Sequence, residues 1–224
     1  MTVKQKTIAY AFVTYPVLGV SLFGPAGTLD WPAGWSFFAV FVTACLAVTR
    51  WMYLRAPGLL EERMRIAPNQ ELWDRVFLKL IVLAWFAWWL TAPLDRRYGW
   101  SHLPQWLQVI GAALSVGSFP LFYATFRANP YASGTVRIQD ERGQTAIDSG
   151  PYAHVRHPMY AAAVAFVVGT SLWLGSWWSL ALGAPLILVL ATRSVFEERT
   201  LARDLTGYAE YMQRVRFRLI PRVW

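Results

Sequence analysis

The sequence predicts an all-α protein, a polytopic membrane helix bundle of five to six membrane segments. The last two segments form a helical hairpin, and a cytoplasmic amphipathic helix follows it. Three observations carry this prediction. The chain is 56% hydrophobic and 16% aromatic with only 15% charged residues, too apolar for an ordinary soluble domain. Its apolar residues gather into long runs almost free of charge. Its basic residues fall between those runs, and nearly all of them on alternate connections.

The runs come in order. "TIAYAFVTYPVLGVSLF" covers Thr7 to Phe23 without a charge, and "WPAGWSFFAVFVTACLAVT" covers Trp31 to Thr49. "LIVLAWFAWWLTAPL" covers Leu80 to Leu94, and "LPQWLQVIGAALSVGSFPLFYATF" covers Leu103 to Phe126. "YAAAVAFVVGTSLWL" covers Tyr160 to Leu174, and "SWWSLALGAPLILVLAT" covers Ser176 to Thr192. Each is helical by length and composition. About 20 residues span a bilayer, so the last two runs are marginal spans. Gly175 alone lies between them, which dictates an antiparallel hairpin that tilts or stops short of a full crossing.

Basic residues set the orientation. With the N-terminus inside and six crossings, the inside segments hold all of the 21 basic residues except Arg96 and Arg97. That asymmetry predicts cytoplasmic N- and C-termini. The +8 net charge is therefore topological, and no nucleic-acid partner is expected. The single cysteine, Cys45, sits within an apolar run and supports neither an internal disulfide nor a CxxC metal site. The first run lacks a small-residue cleavage site and is followed by more such runs, so no cleavable signal is expected.

Three inside segments are long. Arg50 to Lys79 contains a short amphipathic helix, expected to break at Pro68. Arg127 to Pro158 suits an ordered loop or a small hairpin turning at Arg142-Gly143. After Thr192, Leu201, Leu205, Tyr208, Tyr211 or Met212, and Val215 recur every three or four residues. That spacing predicts an amphipathic helix lying on the membrane or on the protein. Two parts result: N-terminal membrane helices over 1–128, and a core over 129–224 with a loop, the hairpin and the tail.

The chemistry gathers at "SGPYAHVRHPMYAAAV", Ser149 to Val164. Pro158 suffices to open a helix, yet Arg156, His157 and Tyr160 stand beside it. His157 and Glu197 lie equally far along the chain from Trp177, at the hairpin turn. Residues equidistant from the turn of an antiparallel pair lie side by side. Arg156, His157 and Tyr160 should therefore face Arg193, Glu197 and Glu198 at the cytoplasmic membrane surface. Ionisable groups at that depth are functional candidates. His154 and His157 form an H-x-x-H pair, but Pro158 makes the preceding backbone extended, so no metal is expected. Ser149 precedes Gly150-Pro151 rather than a nucleophile elbow, and no glycine-rich turn follows a strand.

These residues resemble a known family. "SGPYAHVRHPMY", followed by "EERTL" and "GYAEYMQRVRFRLIP", is similar to the isoprenylcysteine carboxyl methyltransferases and the related phospholipid N-methyltransferases. The matching positions are Gly150, Tyr152, Arg156, His157, Pro158 and Tyr160; then Glu197 and Glu198; then Gly207, Tyr208 and Tyr211. Ala161 stands where the family often has glycine. The resemblance covers roughly Asn129 to the C-terminus. It implies an S-adenosylmethionine-dependent methyltransferase in the membrane, taking a lipophilic or small acceptor from the bilayer and needing no obligate protein partner. It places Tyr152, the backbone near Val155, His157, Pro158, Tyr160 and Glu198 at the cofactor. Arg156, Arg193 and Glu197 would orient cofactor or acceptor. The arginine usage and "GSWW" pattern suggest a bacterial inner membrane. Two other readings stay open: an NADPH-dependent reductase like the membrane sterol reductases, and a non-enzymatic membrane scaffold.

Overall fold

The computed structural model describes residues 3–65 and 70–224. The break expected at Pro68 lies outside the described residues. Six long helices and two short ones appear, and no strand among the described residues. They are α1 (Val3–Ala26), α2 (Pro32–Arg55), α3 (Pro57–Arg63), α4 (Leu72–Tyr98), α5 (Gln105–Ala128), α6 (Pro158–Trp173), α7 (Trp177–Asp204) and α8 (Tyr208–Arg214). This is the polytopic helical bundle expected from the hydropathy runs.

Four helices, α2, α4, α5 and α7, are long and apolar enough to cross a membrane, and Phe12–Ala26 and α6 are shorter apolar helices. At 16 residues α6 is about 24 Å long, short of a bilayer core of about 30 Å. The marginal length expected of both hairpin helices therefore holds for α6 and not for α7. With 28 residues, α7 runs past Thr192 to Asp204. No glycine or proline follows Pro185 until Gly207, and the Arg193 side chain finds a buried partner, so nothing stops the helix where its apolar run ends. The tail is accordingly not one amphipathic helix. Leu201 lies on α7, Gly207 turns the chain at φ +81°, and α8 carries the two tyrosines. Leu205, Tyr208, Tyr211 and Val215 pack on Ile138, Ala146 and Tyr152, so this stripe covers the protein's own loop.

The helices alternate in direction, which gathers their connections at two ends. At the far end Asp95 accepts from Ser101 N (2.7 Å) and from the Ser176 hydroxyl. Gly175 turns there at φ +78°. Ser176 caps α7 by accepting from Ser179 N, which satisfies an otherwise orphan helix N–H. The near end holds the α2–α4 connection, the α5–α6 loop and the tail.

Between the ends the core is aromatic. Phe37, Trp88, Trp89 and Trp173 are buried. Trp88 donates its indole N–H to Ser171 Oγ, and Trp89 donates to Ser21 Oγ, so each ring is buried with its polar atom satisfied. Valine and leucine side chains such as Val20, Leu83 and Leu188 stand exposed on the outside, as a lipid-facing surface requires. Helices α5 and α6 are in backbone contact. A Cβ at Gly111 would lie 2.5 Å from Trp173 N, and Ser115 Oγ bonds Thr170 Oγ1 across the seam. This close approach through small residues locks the C-terminal half of α6 against the first half of α5.

Candidate active site

The near end holds a cavity with about 780 Å³ of empty space, partly open to solvent. Four pieces of chain enclose it. The first is the stretch before α6. Gly150 takes φ +58° to start a short 3-10 turn. Arg156 and His157 then run extended, and their N–H groups donate to Phe217 O and Arg218 O, 2.9 Å each. Pro158, at the first helical position, opens α6. The second piece is the last part of α7. The third is the loop from Asn129 to Ile147, and the fourth is α8.

The hairpin brings together the side chains expected to face one another. Tyr160 donates its phenol to Glu197 Oε2 at 2.6 Å. Arg156 Nε donates to Glu198 Oε1 at 2.6 Å, and His157 Nε2 lies 3.2 Å from the same oxygen. The His157 and Tyr160 rings stack, 5.4 Å apart and 3° from parallel. Arg193 donates to the Tyr160 oxygen. Tyr152, Arg156, His157, Tyr160 and Glu197 line the cavity, whereas Val155, Pro158, Arg193 and Glu198 stand behind its wall.

The residues behind the wall are locked. Glu198 also accepts from Arg218 Nε at 2.8 Å, so both of its oxygens are used. Arg193 pairs with Asp74 Oδ1 through Nε and Nη2, at 2.8 and 2.7 Å, and donates to Gly134 O. Asp74 is fully buried. Its Oδ2 accepts from Val136 N and from Gln70 Nε2. The Asn129–Ile147 loop is thereby pinned at Gly134 and Val136. It is pinned again by Arg137, which meets Glu62 with two bonds of 2.9 and 2.8 Å. Such bidentate arginine–carboxylate pairs are among the stronger ones.

Sequence reasoning did not single out Asp74, Glu62, Asn129 or Arg218. Asp74 is the one acid between Glu71 and the third apolar run, a signal visible in retrospect. The other three carried none.

Two valences in the wall stay open. Arg156 is occupied at Nε by Glu198 and at Nη1 by Val215 O and Arg216 O. Its Nη2 makes no hydrogen bond among the described residues. Glu197 accepts at Oε2 only, and its Oε1 likewise has no partner there. No fully buried side-chain nitrogen or oxygen lacks a partner among the described residues, so both atoms are accessible. The cavity therefore presents one free cationic edge and one free anionic edge.

Around them the phenols stay neutral. Burial pushes the Tyr152 phenol up to about 12, and burial likewise raises those of Tyr208 and Tyr211. Tyr152 accepts from Asn129 Nδ2 at 3.0 Å, and Tyr211 donates to Tyr152 O. Among the described residues no group of three histidine, cysteine or acidic side chains is placed to hold a metal. His154 is exposed while His157 is buried, so the H-x-x-H pair shares no face.

A model of the phospholipid methyltransferase family matches residues 106–206. The match runs from α5 through α6 and α7, and it contains Arg156, His157, Tyr160, Arg193, Glu197 and Glu198. No curated protein matches the chain.

Proposed function

We propose that this chain, whose residues 106–206 match a model of the phospholipid methyltransferase family, uses S-adenosylmethionine to methylate a small or lipid-like acceptor drawn from the bilayer. The observation that carries the reading is the pair of open valences, Arg156 Nη2 and Glu197 Oε1. The donor is an amino-acid zwitterion with a sulfonium, and the cavity offers one edge for each sign of charge. Arg137 in the lining and Arg193 behind it already have acidic partners.

Arg156 would take the carboxylate as a charge-assisted hydrogen bond. Glu197 would hold the ammonium or ribose edge, and the stacked His157 and Tyr160 rings offer an aromatic face to a cation. S-adenosylmethionine supplies an already activated methyl group. The chain's own work is then to position two reactants and exclude water. Tyr160 donates to Glu197 Oε2 and so fixes the carboxylate with its other oxygen, Oε1, free for a ligand. Glu198 and Arg193 act from behind, by holding Arg156, His157 and Tyr160 in place.

Cytoplasmic termini and a bacterial inner membrane complete the proposal. The basic asymmetry supports the orientation, and the near end, with the cavity, would then face the cytosol. The decisive experiment incubates the purified protein with labelled S-adenosylmethionine and a membrane-lipid extract. A labelled product soluble in organic solvent is expected, and Arg156→Gln and Glu197→Gln should weaken donor binding. Saturable binding of NADPH without binding of S-adenosylmethionine would replace this reading by a reductase.

A further inference from the structure

A second groove, with about 780 Å³ of empty space, lies on the other side of the stretch that walls the cavity. It is lined by Ala153 and His154 and by residues of the tail from Arg214 to Arg222. We propose that it binds the phosphate of an anionic membrane lipid. The tail here presents cations without partners. Arg214 pairs with Asp148 at 3.0 Å. Arg216 and Arg222 also line the groove, both exposed, and neither side chain makes an ion pair or hydrogen bond among the described residues. His154, also exposed, lies beside them.

The backbone supports a built site. Arg222 is the one non-glycine residue with positive φ among the described residues, at +67°. Arginine rarely adopts this left-handed conformation, and such positions persist where the surroundings impose them. Arg218 helps to impose it, because its guanidinium lies 5.2 Å over the Trp224 ring. The N–H groups of Arg218, Leu219 and Ile220 also converge on Trp224 O.

A lipid fits better than free phosphate because apolar groups stand beside the cations. Ile220, Val223 and Trp224 are exposed, and Phe217 and Pro221 share the groove with the arginines. The groove also lies at the right depth. Phe217 O accepts from Arg156 N, two residues before the apolar helix α6 begins. Orientation alone needs basic charge anywhere on the inner side. It does not need two unpaired guanidiniums in one groove.

Occupancy would reach the cavity. Val215 O and Arg216 O hold Arg156 Nη1, and Arg218 holds Glu198. A lipid clamped on the outside of this segment braces Arg156 in the wall and Glu198 behind it. The binding itself is independent of the methyl-transfer reading, and its test reads lipid rather than product.

The test is native mass spectrometry of the purified full-length protein in neutral detergent, titrated with phosphatidylglycerol or phosphatidylcholine. Preferential uptake of phosphatidylglycerol is expected. A basic residue at a membrane surface contributes roughly fivefold to anionic lipid binding, so Arg216→Gln with Arg222→Gln should weaken phosphatidylglycerol roughly 30-fold and leave phosphatidylcholine unchanged. Arg96→Gln with Arg97→Gln, at the far end, should change neither. Both altered positions of the groove are exposed, and an unshifted melting temperature confirms the fold. Equal binding of phosphatidylglycerol by the groove variant overturns the proposal. So does displacement of phosphatidylglycerol by an equal concentration of inorganic phosphate, which would assign the groove to a soluble ligand.

Discussion

Replacing Asp74 by asparagine tests the electrostatics behind the cavity. The two carboxylate oxygens of Asp74 each serve a different side. Oδ1 receives two donors of Arg193, and Oδ2 receives Val136 N and Gln70 Nε2. All four neighbours are donors, so an acceptor-only group is required. An amide has one acceptor atom and two N–H donors. Whichever way the amide of Asp74→Asn turns, its NH₂ opposes either Arg193 or Val136, and the Arg193 charge, 6% exposed at the side chain, is left uncompensated. Removing one partner of a buried pair typically costs about 3–5 kcal/mol. For a chain of this size each kcal/mol shifts melting by about 2–4 °C, so a fall of roughly 6–20 °C is expected by thermal unfolding in detergent. The double variant Asp74→Asn with Arg193→Gln removes the stranded charge. It should melt clearly above the sum of the single losses, with a coupling of about 1–3 kcal/mol. A single-variant loss below about 1 kcal/mol, or strict additivity in the double variant, would falsify the account of Asp74 as the counter-charge of Arg193.

Two further predictions concern the wall. Glu197→Gln should leave melting within about 1 kcal/mol of the unaltered protein, because one of its oxygens is free and the group is partly exposed, whereas Glu198→Gln should lose about 3 kcal/mol or more by stranding Arg156. Donor binding should fall in both, and equal melting of the two variants would remove the distinction between a lining acid and a supporting one. The second prediction is alkaline. Tyr152, Tyr208 and Tyr211 are raised above the ordinary phenol value of 10.0, so the folded chain keeps protons that the unfolded chain has lost. Their contribution is fully present below about pH 10 and is lost as pH rises beyond it, because the unfolded state then binds fewer protons. Thermal unfolding followed from about pH 9 to pH 11 should show that decline, less steep in Tyr152→Phe; an identical slope in the variant would refute the assignment.

The apolar runs were legible because membrane helices declare themselves locally, by length and composition. The facing of Tyr160 and Glu197 was legible too, because a hairpin turns a distance along the chain into a distance in space. What escaped was of two kinds. The length of α7 depends on how Arg193 is satisfied, and an arginine after an apolar run looks like the end of a span until its partner is known. That partner, Asp74, is 119 residues away, on a helix whose register against α7 no local pattern reports. The same holds for Glu62 with Arg137 and for Arg218 with Glu198. Each is an ordinary inside charge in the sequence and a buried or half-buried lock in the structure.

These locks bear on how far the stretch matched by the phospholipid methyltransferase model is a unit in itself. Within residues 106–206, Arg193 and Arg137 are satisfied by Asp74 on α4 and Glu62 on α3, both outside the matched stretch. Glu198 is satisfied in part by Arg218, beyond its other end. Arg156 and His157 donate their N–H groups to Phe217 and Arg218, also beyond it. A cavity wall built from buried charges is stable only when every charge has its partner. Most residues that face the cavity therefore come from the matched stretch, with Tyr208 and Tyr211 beyond it, while several of those that neutralise and orient them come from both flanks. The N-terminal helices, which differ from the core in showing no recognisable motif, are then part of the site: they supply the two acids that hold the Asn129–Ile147 loop over the cavity and leave Arg156 and Glu197 as its free charged edges.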